Sequence, residues 1–191
     1  MAAAIMASFS AVNEFMDEEA SVNAMWNGVF NAECPTGHPG YMTAPEVHSL
    51  NGRADLIVYQ IGGQAPHLTS DVLIVFEGKR RTGDDFPVIV NQCKNWARSV
   101  LSQHACCYFI GARGKLAKFW VCQRIGNGQQ MWDLQTKSLR LGGHNQFQDG
   151  QPDMDDGTPF DLTNGIHRAL IINAFTYMRN HVAVTYTWTA P

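Results

Sequence analysis

At 191 residues the chain is long enough for one well-buried core and short of the length at which chains usually divide, so a single domain over residues 1–191 is expected. Hydrophobic residues make up 45% and charged residues 16%, which excludes a disordered chain, and apolar runs such as Leu56 to Ile61 and Val72 to Phe76 fall far short of the roughly 20 residues a membrane helix needs. The net charge of −3, taken as a total, argues against a partner made of phosphates.

The opening MAAAIMASFSAV is apolar but lacks the basic residues of a secretory or transit peptide, and it runs into Glu14 and Asp17-Glu18-Glu19, which points to an intracellular protein, cytoplasmic or nuclear. From about Ala7 to Phe30 the spacing is that of one helix or two short ones. Phe9, Val12, Met16 and Ala20 form one stripe, Val22, Met25, Trp26 and Val29 another, and Ser21 is placed to cap the second piece. Cys34-Pro35-Thr36-Gly37-His38-Pro39-Gly40 breaks regular structure and reads as a loop.

Tyr41 to Leu50 is a weak strand interrupted by Pro45, and it meets Asn51-Gly52, the strongest short hairpin signal in the chain. The next strand, Arg53 to Ile61, follows at once. After a loop holding Gly62-Gly63 and Pro66 comes Ser70 to Lys79, whose VLIVF core is continuously apolar, as in a central strand covered on both faces. Phe86 to Ser102 carries Ile89, Cys93, Trp96, Ala97 and Val100 at helix spacing. Two strands follow, Ala105 to Ala112 and Leu116 to Arg124, joined at Arg113-Gly114, and Gly126-Asn127-Gly128 makes another turn. Gly142 to Pro159 is polar and reads as a long surface loop. Asp161 or Thr163 then starts a final helix with Ile166, Leu170, Ile171, Ala174, Phe175 and Met178. This order suits an α/β domain, a sheet with helices on both faces.

Five cysteines, Cys106 and Cys107 adjacent, include no C-x-x-C pair and no ligand-like spacing to the seven histidines, so buried reduced thiols are expected. His104, His144 and His167 are isolated and read as structural. No phosphate-binding G-x-x-x-x-G-K-[ST] loop, G-x-S-x-G elbow or G-x-G-x-x-G fingerprint occurs. The charge, however, is unevenly placed. Between Glu77 and Arg124 nine basic residues (Lys79, Arg80, Arg81, Lys94, Arg98, Arg113, Lys115, Lys118, Arg124) face three acidic ones (Glu77, Asp84, Asp85), so that segment stands at +6 and the remainder at −9. Such a molecule can draw a polyanion to one side despite its negative total, although solvated strand ends are the plainer alternative.

Residues two apart in a strand project from one face, so Glu77 and Lys79 lie side by side at the end of a central strand. If the strands 53–61 and 70–79 pair as an antiparallel hairpin, a register placing Asp55 opposite Glu77 also pairs Tyr59 with Leu73 and Ile61 with Asp71, and it gathers Asp55, Glu77 and Lys79 on one face. Two carboxylates and an ammonium suit phosphodiester hydrolysis: the carboxylates can hold Mg²⁺, and the lysine can position an attacking water. A salt bridge at a strand end is the ordinary alternative.

Gly52-Arg53-Ala54-Asp55, then Glu77-Gly78-Lys79, then Gln92-Cys93-Lys94-Asn95-Trp96 resembles the PD-(D/E)XK nuclease-like superfamily, particularly its RecB-like branch, whose pattern is G-x-x-D, D/E-x-K and Q-x-x-x-Y. The resemblance covers about residues 41–124 and implies a restriction endonuclease-like core (α-β-β-β-α-β-β) around a central mixed sheet, with a C-terminal helix added. It implies Asp55 and Glu77 as ligands of Mg²⁺ or Mn²⁺, the Gly78 carbonyl as a further ligand, and Lys79 orienting the water. Gln92 would contact the lysine, the substrate phosphate or a metal-bound water. Many members add a Glu from the first helix; Glu19 is the choice here, with Glu18 and Glu14 as competitors. Trp96 replaces the usual Tyr and falls on the core stripe, and Ala54 stands where a Pro often precedes the Asp. Arg80, Arg81, Lys94 and Arg98 are candidates to hold a nucleic-acid backbone.

The expected activity is metal-dependent hydrolysis of phosphodiester bonds, with DNA ahead of RNA, no membrane partner, and a homodimer or partner protein left open. The alternative is a catalytically inactive module of the same fold that binds nucleic acid or protein.

Overall fold

The computed structural model describes residues 1–37, 40–50, 52–64, 67–100, 106–125, 133–141, 147–152, 157 and 159–181. Three helices open the chain: α1 (Ala2–Ser10), the single turn α2 (Asn13–Met16) and α3 (Glu19–Glu33). The helical expectation for Ala7 to Phe30 is thus corrected to three pieces, because Val12 and Glu18 adopt extended backbone between them. The first stripe breaks with the helix, leaving Val12 exposed while Met16 is buried; the second, Val22, Met25, Trp26 and Val29, is wholly buried. Ser21 lies inside α3 and caps nothing, since the helix begins after Glu18 with no side-chain cap.

The strands are β1 (Gly40–Ser49), β2 (Gly52–Gln64), β3 (His67–Lys79), β4 (Cys106–Arg113), β5 (Leu116–Ile125), β6 (Asp133–Leu141), β7 (Phe147–Pro152) and the short β8 (Phe160–Asp161). The remaining helices are α4 (Phe86–Val100), between β3 and β4, and α5 (Gly165–Asn180), after β8. The sheet is mixed and open, in the order β1-β2-β3-β4-β5-β6-β7, with β8 pairing the start of β5. Of the paired strands named here, β3 and β4 run parallel; the rest are antiparallel.

β2 and β3 form one long hairpin paired out to Gln64↔His67, so Gly62 and Gly63 lie in strand and not in a loop. The turn between β4 and β5 falls at Gly114-Lys115, one residue later than expected, with Gly114 at φ +54, the left-handed region that favours glycine. β6 was not foreseen, and β7 occupies part of the segment 142–159 read as loop; polar residues at an antiparallel ladder carry little of the apolar alternation that marks a strand. α5 starts at Gly165, because the Asn164 side chain accepts from the Ile166 and His167 amides, while Asp161 instead accepts from Thr163. Ile166 is exposed, unlike Leu170, Ile171, Ala174, Phe175 and Met178. The positions Asn51, Pro66, Gly126-Asn127-Gly128, His104 and His144 lie outside the described residues.

The two faces of the sheet carry separate cores. Leu56, Val58, Ile74, Phe76, Tyr108 and Ile110 pack beneath α1, α3 and α5, whereas Ile57, Val75, Phe109 and Trp120 pack beneath Ile89, Cys93, Trp96 and Ala97 of α4. An aromatic chain ties the first core together, Trp26 to Phe76 at 5.5 Å, Phe76 to Phe30 at 5.4 Å and Phe30 to Phe175 at 5.6 Å between ring centroids. Such pairs contribute about 0.5–1.5 kcal/mol each beyond the area they bury. All five cysteines are buried and unbridged. Among the described residues no helix is long and apolar enough to cross a membrane.

Helix α4 sits low on the sheet because Gly111 carries no side chain. A Cβ there would lie 2.7 Å from Ile89 Cγ2 and 3.0 Å from the Trp120 ring, both fixed in the core. Gly111→Ala is therefore expected to destabilise the fold by about 1–3 kcal/mol through overpacking, read as a lower urea midpoint at unchanged slope. An unchanged midpoint would show that α4 can lift without cost.

Candidate active site

The start of β2, the end of β3 and the first turn of α3 converge on one place. The ladder pairs Val58↔Ile74, Ile57↔Val75 and Leu56↔Phe76, and one further step sets Asp55 opposite Glu77. Beyond that stretch the expected register is corrected: a bulge at Val58/Tyr59 pairs Tyr59 with Val72 and Ile61 with Ser70, because one extra residue of β3, Leu73, is left without a partner. The slip lies on the far side of the bulge and leaves the carboxylates facing each other.

Both acids are nearly out of water, Asp55 at 5% and Glu77 at 7% exposure. Where β2 no longer pairs with β3, the Gly78 N–H donates to Asp55 Oδ2 at 2.9 Å. Arg53 Nη2 stands 3.8 Å from Asp55 Oδ1 and reaches Glu46 on β1 as well. Lys79 Nζ donates to Glu77 Oε1 at 2.6 Å and lies 3.4 Å from Glu19 Oε1. Glu19 is thus the helix acid that reaches the cluster; Glu14 and Glu18 are exposed. Three carboxylates surround one ammonium.

Burial is the main cause that pushes Glu77 up to about 7; the Asp55 and Glu19 charges add to it and the Lys79 contact opposes it. Burial also pulls on Lys79 in the direction of neutrality, but its hydrogen bond to Glu77 and the negative charges of Glu77, Glu19 and Asp55 outweigh that and raise it. The cluster is short of positive charge.

Of the contacts expected of Gln92, the one to Lys79 is not made. The Gln92 Nε2 donates to Asp84 Oδ2 at 3.2 Å, and its Oε1 is buried without a partner. Trp96 packs in the α4-side core and donates Nε1 to the Val47 carbonyl at 2.8 Å. Arg81 is committed to Asp17, with Nε 2.9 Å from Oδ1 and Nη2 3.1 Å from Oδ2. Arg80 is exposed at the end of β3, while Lys94 and Arg98 lie four residues apart on α4 with Arg98 donating to Asn95.

Three neighbours escape a reading by motif. Arg53 touches Asp55, two residues along its own strand. Asn23, one turn along α3 from Glu19, sets Oδ1 where a side chain at Gly78 would be, buried and without a partner. Arg113 pairs with Lys79 on the neighbouring strand. Helix spacing links Glu19 to Asn23, but only the sheet order brings Arg113 to the site.

Among the described residues no group of three or more His, Cys, Asp and Glu side chains is arranged to hold a metal ion. The donors that do converge are hard oxygens, in a buried and electron-rich setting that favours a hard cation such as Mg²⁺ or Mn²⁺ over a soft one. Asp55 and Glu77 would hold it, with Glu19 tied to Glu77 through Lys79. No protein-family model matches the chain, and no match was found among curated proteins or solved structures.

The Glu77 value sets a pH dependence of stability. Its folded-state value lies above the ordinary 4.5, so the stability that its neutral form contributes is fully present below pH 4.5 and is lost as pH rises through about 7. In metal-free buffer Glu77→Gln is expected to be more stable than the parent at about pH 8, by on the order of 2–3 kcal/mol, with the gap closing below pH 4.5. Urea unfolding across that range checks it, and equal stabilities at the alkaline end would mean that water solvates the carboxylate.

Proposed function

We propose that this chain is a divalent-cation-dependent nuclease that hydrolyses phosphodiester bonds, in DNA before RNA. The observation that carries the reading is the pair of buried carboxylates, Asp55 and Glu77, set opposite each other with the Lys79 ammonium 2.6 Å from Glu77. The order of α3, β1, β2, β3, α4, β4 and β5 is compatible with a restriction endonuclease-like core, and the three motifs that resemble the PD-(D/E)XK superfamily fall on β2, β3 and α4. Intracellular nucleic acid is the substrate in view.

When bound, Mg²⁺ or Mn²⁺ supplies charge neutralisation at the phosphate and a water of lowered pKa. The protein does the rest by position. The Gly78 amide fixes Asp55 Oδ2 and Lys79 fixes Glu77 Oε1, which leaves Glu77 Oε2 and, beside Arg53, Asp55 Oδ1 as the oxygens that would face a cation. Lys79, tied to Glu77 and Glu19, keeps its proton and presents it beside the carboxylates, where it can orient a water and balance charge growing on the phosphate. Gln92 has a buried amide oxygen with no partner, an acceptor in reserve for a water or a substrate group.

A second reading, a non-catalytic module of this fold that binds nucleic acid or protein, draws on the commitment of Asp55 Oδ2 to the Gly78 amide. Linear duplex, circular duplex and single-stranded DNA incubated with Mg²⁺, Mn²⁺ or EDTA separate the two. Cleavage is expected with either cation and not with EDTA, and Asp55→Ala and Lys79→Ala should each lower the rate by about 100-fold or more. No cleavage by the parent, or cleavage unchanged in both variants, overturns the catalytic reading. Salt-sensitive DNA binding that persists in EDTA without any cleavage is what the module predicts.

A further inference from the structure

The one parallel pair of named strands, β3 and β4, ends level, with Lys79 paired to Arg113. In open α/β sheets ligands gather beyond the carboxyl ends of parallel strands. Along β4, Phe109 packs beneath α4 and Gly111 faces Ile89 and Trp120, so alternation turns Arg113 to the face that holds Glu77 and Lys79. Leu116, its partner on β5, packs against the same α4-side core. The main chain around it is pinned, since the Gly114 amide donates to the Lys79 carbonyl at 2.8 Å and Gly114 lies against Arg81.

Apart from Arg80, which is exposed, the cations around Arg113 are already engaged. Lys79 holds Glu77 and Glu19, Arg53 lies between Glu46 and Asp55, Arg81 grips Asp17, and Lys115 donates to Asn13. Arg113 differs. It is half-buried, its Nε is buried without a hydrogen-bond partner, and it pairs with no carboxylate among the described residues. A guanidinium keeps its charge at any physiological pH and offers donors in a planar fork that matches two oxygens of a phosphate. A buried donor left unmade is costly, and no group among the described residues meets this one, so the guanidinium Nε is held without a partner of its own.

We infer that Arg113 is the phosphate receptor of this site, gripping a backbone phosphate of a bound polynucleotide beside the Glu77–Lys79 pair. The identity of the anion as a nucleic-acid phosphate rests on the nuclease reading; the subsite itself rests on the unpaired guanidinium. The carboxylates would repel a polyanion by themselves, and Arg113 supplies the local positive charge that lets one approach.

The test is binding of a fluorescein-labelled DNA duplex to the full chain, measured by anisotropy in EDTA and again in Ca²⁺ over a range of salt, for the parent, Arg113→Gln and Arg113→Lys. Arg113→Gln is expected to weaken binding about tenfold and to make the slope of log affinity against log salt shallower by about one. Arg113→Lys should recover part of the affinity, because it keeps the charge and loses the fork. Thermal melting of both variants close to the parent shows that the loss is not unfolding. Inorganic phosphate should displace the duplex from the parent more strongly than chloride at equal ionic strength. Equal binding by parent and Arg113→Gln at every salt, no duplex binding by the parent, or equal displacement by the two salts overturns the inference. If Arg113→Gln loses binding while the parent cleaves nothing, the subsite stands and the nuclease reading falls; if the parent cleaves and Arg113→Gln binds as well as it does, the reverse holds.

Discussion

Asp55 and Glu77 are held opposite one another on neighbouring strands with almost no contact with water, and two carboxylates so placed lose hydration and repel each other at once. The structure offsets this in three ways: the Gly78 amide on Asp55, the Lys79 ammonium on Glu77, and the half-exposed Arg53 near Asp55. The offset is incomplete. Glu77 still sits near 7, chiefly because burial strips its carboxylate of water and then because Asp55 and Glu19 repel it, so the folded protein keeps a deficit of solvation at this one point. A cation or a proton would each relieve a different part of it.

Much of the surrounding fold can be understood as what holds that deficit in place. The acids sit where β2 and β3 stop pairing backbone to backbone, which is why a side chain, Asp55, takes over the Gly78 amide. Gly78 admits α3, whose Asn23 occupies the space a side chain would need, and this approach brings Glu19 to within 3.4 Å of Lys79. On the opposite face Gly111 admits α4, and Ile89 packs there beside Trp120 of β5. Two glycines, one on each side, let helices come close enough to shield the acids from solvent. The bulge at Val58/Tyr59 takes up the irregularity of the long hairpin at a distance from the site.

Legibility followed the strength of the local signal. β2 through β5 and α4 carried continuous or periodic apolar patterns and emerged near their expected bounds, and the buried stripe of α3 did too. β6 and β7 did not, since Thr136, Lys137 and Ser138 are buried polar residues whose burial depends on neighbours far away in the chain. At the site, Asp55, Glu77 and Lys79 came together as their spacing implied, and Glu19 joined them. Gln92 turned to Asp84 and Arg81 to Asp17, because a polar side chain at a helix or strand end takes whichever partner the tertiary structure brings nearest.

By itself the sequence determined which residues alternate toward a core and that Glu77 and Lys79 share a face, for these depend on the period of a strand. It offered the register that sets Asp55 against Glu77 only as one pairing, and the bulge at Val58/Tyr59 changed the outer half of it. Only the tertiary structure decided how little water the acids keep, which helix acid reaches Lys79, and that Arg113 comes to lie beside Lys79 with its Nε unsatisfied. Desolvation and ion pairing are sums over everything within a few ångströms, and the parallel pairing of β3 with β4 brings into that range residues that the intervening helix α4 keeps far apart along the chain.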